Sequence, residues 1–178
     1  MQNEESLVQR AKEQDEAALT QLYEENFDKI YRYIVLKIGD RTEAEDMTQQ
    51  VFLKAFKSIS GYKSRGSPFS SWLFRIARNQ VVDHWRKKSK RPTVPLEETF
   101  VGSGNSNPSS ETERKMDIEN LVLATKQLTS LQREVVSLRF AGGLSVAQVA
   151  RLMGKSEGAI KALQHSAVVS LRRMLATG

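Results

Sequence analysis

Residues 145–171 read SVAQVARLMGKSEGAIKALQHSAVVSL, and their spacing decides the fold of the second half of the chain. Ser145 followed by Gln148 is a capping-box start, since each side chain can satisfy a backbone N–H that a first helical turn leaves free. Ala150 is small where two helices would cross closely. Gly154, four residues on, suits a left-handed turn. Ser156 caps a second helix running to about Leu175, and Ile160 falls on its buried face. Two helices at a steep angle around a glycine turn make a helix-turn-helix, which lays its second helix in the major groove of DNA. At about 100° per residue, Ile160, Leu163, Ala167, Leu171 and Met174 share one stripe, which is core. Lys161, His165 and Arg172 lie outside it with Ala162 and Ser166 nearby, and these five form a candidate groove face. An ordinary helical hairpin would show the same stripe with Lys161 and His165 merely solvated. The small–Gly–Ile spacing favours DNA, although repressors use the same motif.

Upstream, Thr129 with Gln132 forms another capping box, and Gly142-Gly143 ends the helix it starts. Residues 93–115 contain Pro95, Pro108 and the run VGSGNSNPSS, too poor in apolar surface to offset the entropy of ordering. They read as a flexible linker between a domain at 1–92 and one at 116–178. In the first domain, Leu19, Leu22, Tyr23, Phe27, Ile30 and Ile34 recur at helical spacing across Ala17–Ile38, and Gly39 stops that helix. Thr42 with Glu45 predicts the start of the next, which runs to about Ile59. Pro68 sits where a helix accepts it, opening an amphipathic segment to about Lys88. No stretch alternates with the period of a strand. The expected fold is all-α: an N-terminal helical bundle and a C-terminal helix-turn-helix joined by the linker.

Composition narrows the function. The 178 residues carry a net charge of +6, and charge is segregated. Residues 1–60 net −4, 61–92 net +8, 93–130 net −3 and 131–178 net +5. Two basic blocks between acidic ones point to two separate polyanion-facing surfaces. There is no cysteine, which removes disulfides, thiolate zinc sites and cysteine nucleophiles. The two histidines, His84 and His165, lack ligand spacing, so no metal and no cofactor is expected. The polar start MQNEE is no signal peptide, and no apolar run is long enough to span a bilayer. A cytoplasmic location without membrane insertion follows as the expectation.

The basic block centres on residues 67–88, SPFSSWLFRIARNQVVDHWRKK. Leu73, Ile76, Ala77 and Val81 face inward on a helical projection. Trp72, Arg75, Asn79, Asp83 and Arg86 gather on the opposite side. Arginines hold phosphates, an aromatic ring offers a stacking platform, and Asn can bond a base edge, which is chemistry for unstacked nucleotides. The preceding loop adds Tyr62, Lys63 and Arg65. Taken singly, Tyr62, Trp72 and Trp85 are as readily core as platform.

The order of these segments over about residues 15–175 resembles an extracytoplasmic-function (ECF) RNA polymerase sigma factor. TEAEDMTQQVFLKAFKSI (42–59) is similar to the family's core-binding region, and SPFSSWLFRIARNQVVDHWRK (67–87) to its −10-reading and melting segment. Residues 128–168 are similar to its −35-reading helix-turn-helix. The resemblance implies a non-enzymatic promoter-recognition subunit with no catalytic residue. Asp46, Gln49, Gln50, Leu53 and Lys54 would face the β′ clamp helices of core RNA polymerase. Tyr62, Lys63, Arg65, Trp72, Arg75, Asn79 and Arg86 would hold the melted −10 strand. Lys161, Ala162, His165, Ser166 and Arg172 would read the −35 duplex. The linker would thread towards the RNA exit channel. Implied partners are core polymerase through β′ and β, promoter DNA and, as an optional third, an anti-sigma factor. Gln50 departs from the family's usual Glu, and Leu163 and Ser166 stand where Arg is common. Gln164 replaces a core aliphatic, whose packing would pass to Leu163.

Two other readings use the same residues. A stand-alone helix-turn-helix regulator, with residues 1–90 as sensor or dimerisation domain, would bind duplex operator without polymerase. A nuclease would need clustered carboxylates or a His-based acid–base pair. The one dense acidic group, Asp40, Glu43, Glu45 and Asp46, reads better as a helix N-terminus favoured by the macrodipole.

Overall fold

The computed structural model describes residues 2–90 and 110–177, and these form eight α-helices with no strand among them. The N-terminal half holds α1 (Gln2–Lys12), α2 (Glu16–Ile38), α3 (Arg41–Ser58) and α4 (Phe69–Lys90). The C-terminal half holds α5 (Ser110–Lys126), α6 (Ser130–Val136), α7 (Val146–Met153) and α8 (Glu157–Thr177). The expected linker falls largely outside the described residues, and α5 opens at Ser110, inside the stretch read as linker.

Caps set most helix ends. The Asp15 carboxylate accepts from the N–H groups of Ala17 and Ala18 at 3.0 and 3.4 Å and starts α2. Gly39 ends it with φ +84°, a left-handed position that a side chain would strain. The start of α3 differs from the capping box expected at Thr42. Asp40 is the cap, its carboxylate accepting from Glu43 N–H, the third helical residue, at 2.9 Å, so the helix opens two residues sooner. The capping boxes Thr129/Gln132 and Ser145/Gln148 both form, and Gly154 closes α7 with φ +65°. The Ser156 hydroxyl accepts from Ala159 N–H at 3.1 Å at the start of α8.

α2, α3 and α4 pack around Leu22, Ile30, Ile34, Val51, Phe52, Leu73, Phe74, Ala77 and Val81, all buried. α1, which the sequence pattern did not reveal, adds Leu7, Val8 and Ala11 to that core. In the C-terminal half, Leu128, Val136 and Ala167 form a small core of their own, with Leu171 and Met174 against it. The stripe expected on α8 is therefore the buried one.

The two halves are not separate bodies. Val135, Leu138, Leu144, Val149, Ala150 and Ile160 join the same apolar cluster as the N-terminal helices. A π turn at Ser137–Ala141 continues α6 and seats against α2. Gly142 follows it. A Cβ there would stand 2.8 Å from the Phe74 ring and from the Leu138 carbonyl, so the turn sits this close only without a side chain.

Candidate nucleic-acid interface

α8 presents the candidate duplex-reading face as read from the sequence. Ile160 is wholly buried, while Lys161, Ala162, His165, Ser166 and Arg172 are exposed. α7 crosses below it, held by Val149 and Ala150. One member is engaged within the domain: the Ser166 hydroxyl donates to the Leu163 carbonyl and accepts from Gln132 Nε2, each at 3.1 Å. Gln164 is tied to Arg139 Nε at 3.0 Å, and Leu163 packs against the core in its stead.

The second surface spans the loop at 61–68 and α4. Arg75, Asn79 and Arg86 are exposed along α4, with Trp85 42% exposed beside them. Lys88 lies over the Trp85 ring at 5.3 Å, and His84 meets its edge. Arg65 and Gly66 have φ values of +42° and +78°, and Ser67 N–H closes the turn on the Ser64 carbonyl at 2.8 Å. Two successive positive φ values expose the loop backbone and hold Lys63 and Arg65 outward.

Tyr62 does not stand free on this loop. It is 7% exposed, its ring meets Phe69 edge-on at 5.4 Å, and its hydroxyl donates to the Ser67 carbonyl. Burial, with Glu4 nearby, pushes its phenol above the usual value. Trp72 is half-buried against both rings. An aromatic loop residue beside Phe69 finds more apolar area inward than a loop can offer outward, so Tyr62 holds the loop rather than offering an open ring. Glu4 of α1 accepts from Phe69 N–H at 2.5 Å and caps α4 from 65 residues away, a role with no local sequence signal.

A third surface lies on α3. Asp46, Gln49, Gln50, Leu53 and Lys54 are all exposed, and Leu53 is 60% so. Their neighbours Met47, Thr48, Val51 and Phe52 are buried, which fixes the orientation of the row. Gln49 Nε2 donates to the Tyr23 hydroxyl at 3.0 Å.

Sequence reasoning also missed Glu134. Its carboxylate is buried between the halves, accepting from the Tyr33 hydroxyl at 2.8 Å and facing Lys37 Nζ at 2.5 Å and Arg78 Nε at 3.3 Å. Burial first, then Glu134, drives the Tyr33 phenol well above its ordinary range, so it remains a donor. The one clue in sequence is a carboxylate directly before the apolar pair Val135-Val136.

Four N-terminal helices with a basic face on α4, followed by a helix-turn-helix, are matched by two families of the sigma-70 type. The Sigma-70 region 2 family matches residues 22–91, and the Sigma-70, region 4 family matches residues 124–173. The chain is 32% identical over 163 residues to the ECF RNA polymerase sigma factor SigL of Mycobacterium tuberculosis, covering 90% of each. It is 39% identical over 170 residues to the ECF RNA polymerase sigma factor BldN of Streptomyces coelicolor, covering 95% of this chain but 64% of BldN. The chain therefore belongs to the ECF RNA polymerase sigma factors, which are transcription-initiation factors and not enzymes. CnrH, solved in complex with the cytosolic domain of CnrY, shares the fold with a TM-score of 0.73 at 20% identity, covering 98% of this chain and 97% of CnrH. RpoE of Bartonella quintana, solved with the anti-sigma factor NepR, does so with a TM-score of 0.68 at 23% identity, covering 88% and 96%. No described helix is long and apolar enough to cross a membrane.

Proposed function

We propose that the chain binds core RNA polymerase through α3 and directs initiation by reading the −35 element as duplex and the −10 element as a melted strand. In this reading residues 1–92 are the polymerase-binding and −10 domain, residues 116–178 the −35 domain, and the stretch at 93–115 spans them. The observation that carries it is the difference between two exposed cationic faces. On α8, Lys161 and His165 stand beside the small Ala162 on a helix otherwise backed by core, a shape that enters a major groove. On α4, Arg75, Asn79 and Arg86 alternate charge and amide beside the exposed ring of Trp85, a mix that suits splayed bases. Trp72, Lys63 and Arg65 extend that face, and Tyr62 supports it from beneath.

Asp46, Gln49, Gln50, Leu53 and Lys54 are proposed to meet the β′ clamp helices. Leu53 would add apolar contact area amid the polar members of this row, as the centre of an interface requires. Opening a duplex costs a few kcal/mol per flipped base, more than a small helical surface supplies, so melting belongs to the holoenzyme. Family membership supports core polymerase, promoter DNA and an anti-sigma factor as partners. The test is transcription from promoter libraries randomised at each element, with core polymerase alone and with the chain added. Sequence-specific start sites that depend on the chain are expected. Tight operator binding by the chain alone, with no effect on core polymerase, would favour a stand-alone regulator.

A further inference from the structure

α1 lies along the loop that precedes α4. Glu4, Val8 and Lys12 follow one another at four-residue steps, so they share one helix face. All three line a cavity of about 170 Å³ whose far wall is Tyr62 and Ser64 of the loop. Val8 is buried in the core, which fixes that face against the loop. At one end of the face, Lys12 Nζ stands 5.8 Å from the centroid of the Tyr62 ring. At the other, the Glu4 carboxylate accepts from the N–H of Phe69, the first residue of α4, at 2.5 Å. The loop is thus tied to α1 at both its ends. α4 needs this outside cap. Pro68, just before it, has no side-chain acceptor. Ser67 Oγ already accepts from Arg151 Nη1 at 3.3 Å, where α7 lies across the start of α4. A carboxylate there also faces the positive end of the helix dipole.

We propose that Glu4 is a positioning residue for −10 recognition. Its carboxylate fixes the start of α4, and so sets where Lys63, Arg65 and Trp72 stand toward the melted strand. α1 then belongs to the promoter-reading machinery without itself touching the strand. The proposal rests on the reading of the loop-and-α4 surface given above. Between its two ties the loop is strained, since Arg65, a residue with a side chain, sits at φ +42° before Gly66 at +78°. The cavity beneath it means that close packing alone does not hold it, so its shape depends on a few discrete ties. Preorganisation is what Glu4 supplies. A loop already in its binding shape loses less freedom on gripping a base, and a misplaced group tells one base from another less well.

Two readouts on the full chain test this. Hydrogen exchange of peptides spanning 61–72, with peptides of α2 and α3 as internal reference, reports how firmly the loop is held. Core-dependent transcription from promoters randomised at each element reports base discrimination. Glu4→Ala removes the cap, and Glu4→Gln keeps an acceptor oxygen but loses the charge. In Glu4→Ala, exchange across the loop and the first turn of α4 is expected to rise about fivefold, the usual worth of a lost cap. Discrimination at one or more −10 positions is expected to fall about three- to tenfold, with the −35 pattern that of the parent. Glu4→Gln should lie between Glu4→Ala and the parent in both. Parental exchange in Glu4→Ala overturns the claim that Glu4 holds the loop. Faster exchange with parental −10 discrimination, where Asn79→Ala does change a −10 position, overturns the positioning role and leaves a structural cap. If Glu4→Ala loses helicity, Glu4→Gln decides by the same two measurements. If Asn79→Ala also changes no −10 position, the reading of the surface is what fails, and the positioning role falls with it.

Discussion

The two proposed DNA surfaces are built on opposite plans. The α8 face stands clear: Lys161, Ala162 and His165 are exposed, and the residues that hold the helix, Ile160 and Ala167, lie on its other side. The loop-and-α4 surface is interwoven with its own support. Tyr62 is buried beneath it, Trp72 is half in the core, and Glu4 of a remote helix caps its first turn. Reading a duplex asks for a rigid rod whose reading side is free of structural duty. Gripping a splayed strand asks for a shaped surface, and here the side chains that shape it also hold the domain together.

The sharpest way to break this contrast is by stability. Tyr62→Ala removes a ring packed against Phe69 and Trp72 and should destabilise the fold by about 3 kcal/mol. Lys161→Ala should stay within about 0.5 kcal/mol. Urea unfolding of the two variants compares them, and equal midpoints would erase the distinction. Specificity gives the next largest effect. Asn79→Ala should lose discrimination at one −10 position by roughly 1–3 kcal/mol and leave −35 preference alone, and Lys161→Ala should do the reverse. A shift of −35 preference in Asn79→Ala would merge the two surfaces into one. The α3 row tests whether polymerase contact is independent of both. Asp46→Ala with Gln49→Ala should weaken core binding by about tenfold at unchanged helicity, and an unchanged pull-down of core polymerase would remove α3 from the interface.

The smallest effect concerns pH. Burial holds the His84 imidazole below its usual value, with Lys88 adding to the depression and Glu43 opposing it. The unfolded chain then takes up the proton more readily than the folded one. This contribution to stability is present above the unfolded pKa and is lost as pH falls through the lower folded value. The Tm of the parent should drop slightly more than that of His84→Phe between about pH 7.5 and 5. Parallel curves would mean that the α4 ring cluster is indifferent to its charge.

Local chemistry was legible in the sequence and long-range chemistry was not. Thr129 with Gln132, Ser145 with Gln148, and Gly154 each fix a helix end through atoms within five residues, and each does so in the structure. The α8 stripe followed from a helical period alone. Asp40 displaced Thr42 as a cap because two adequate caps lay two residues apart and geometry chose. α1 was missed because Leu7, Val8 and Ala11 make too short an apolar pattern to separate from a polar terminus. Glu4, Tyr62 and Glu134 find their partners in segments far away in the chain, and periodicity says nothing of such meetings. In the site, the exposed rows on α4 and α8 were readable as the complement of a buried stripe, and the row on α3 came only through the family resemblance. The burial of Tyr62 depended on which rings folded against it.

Tyr33 and Glu134 are separated by 101 residues. A ribosome adds roughly 5–20 residues per second, so Tyr33 is made some 5–20 s before its acceptor exists. The N-terminal helices have local contacts enough to assemble in that interval, far faster than the chain lengthens. Every newly made molecule therefore passes through a period of seconds in which the Tyr33 hydroxyl and Lys37 lack the Glu134 carboxylate and α4 has no α7 across its start.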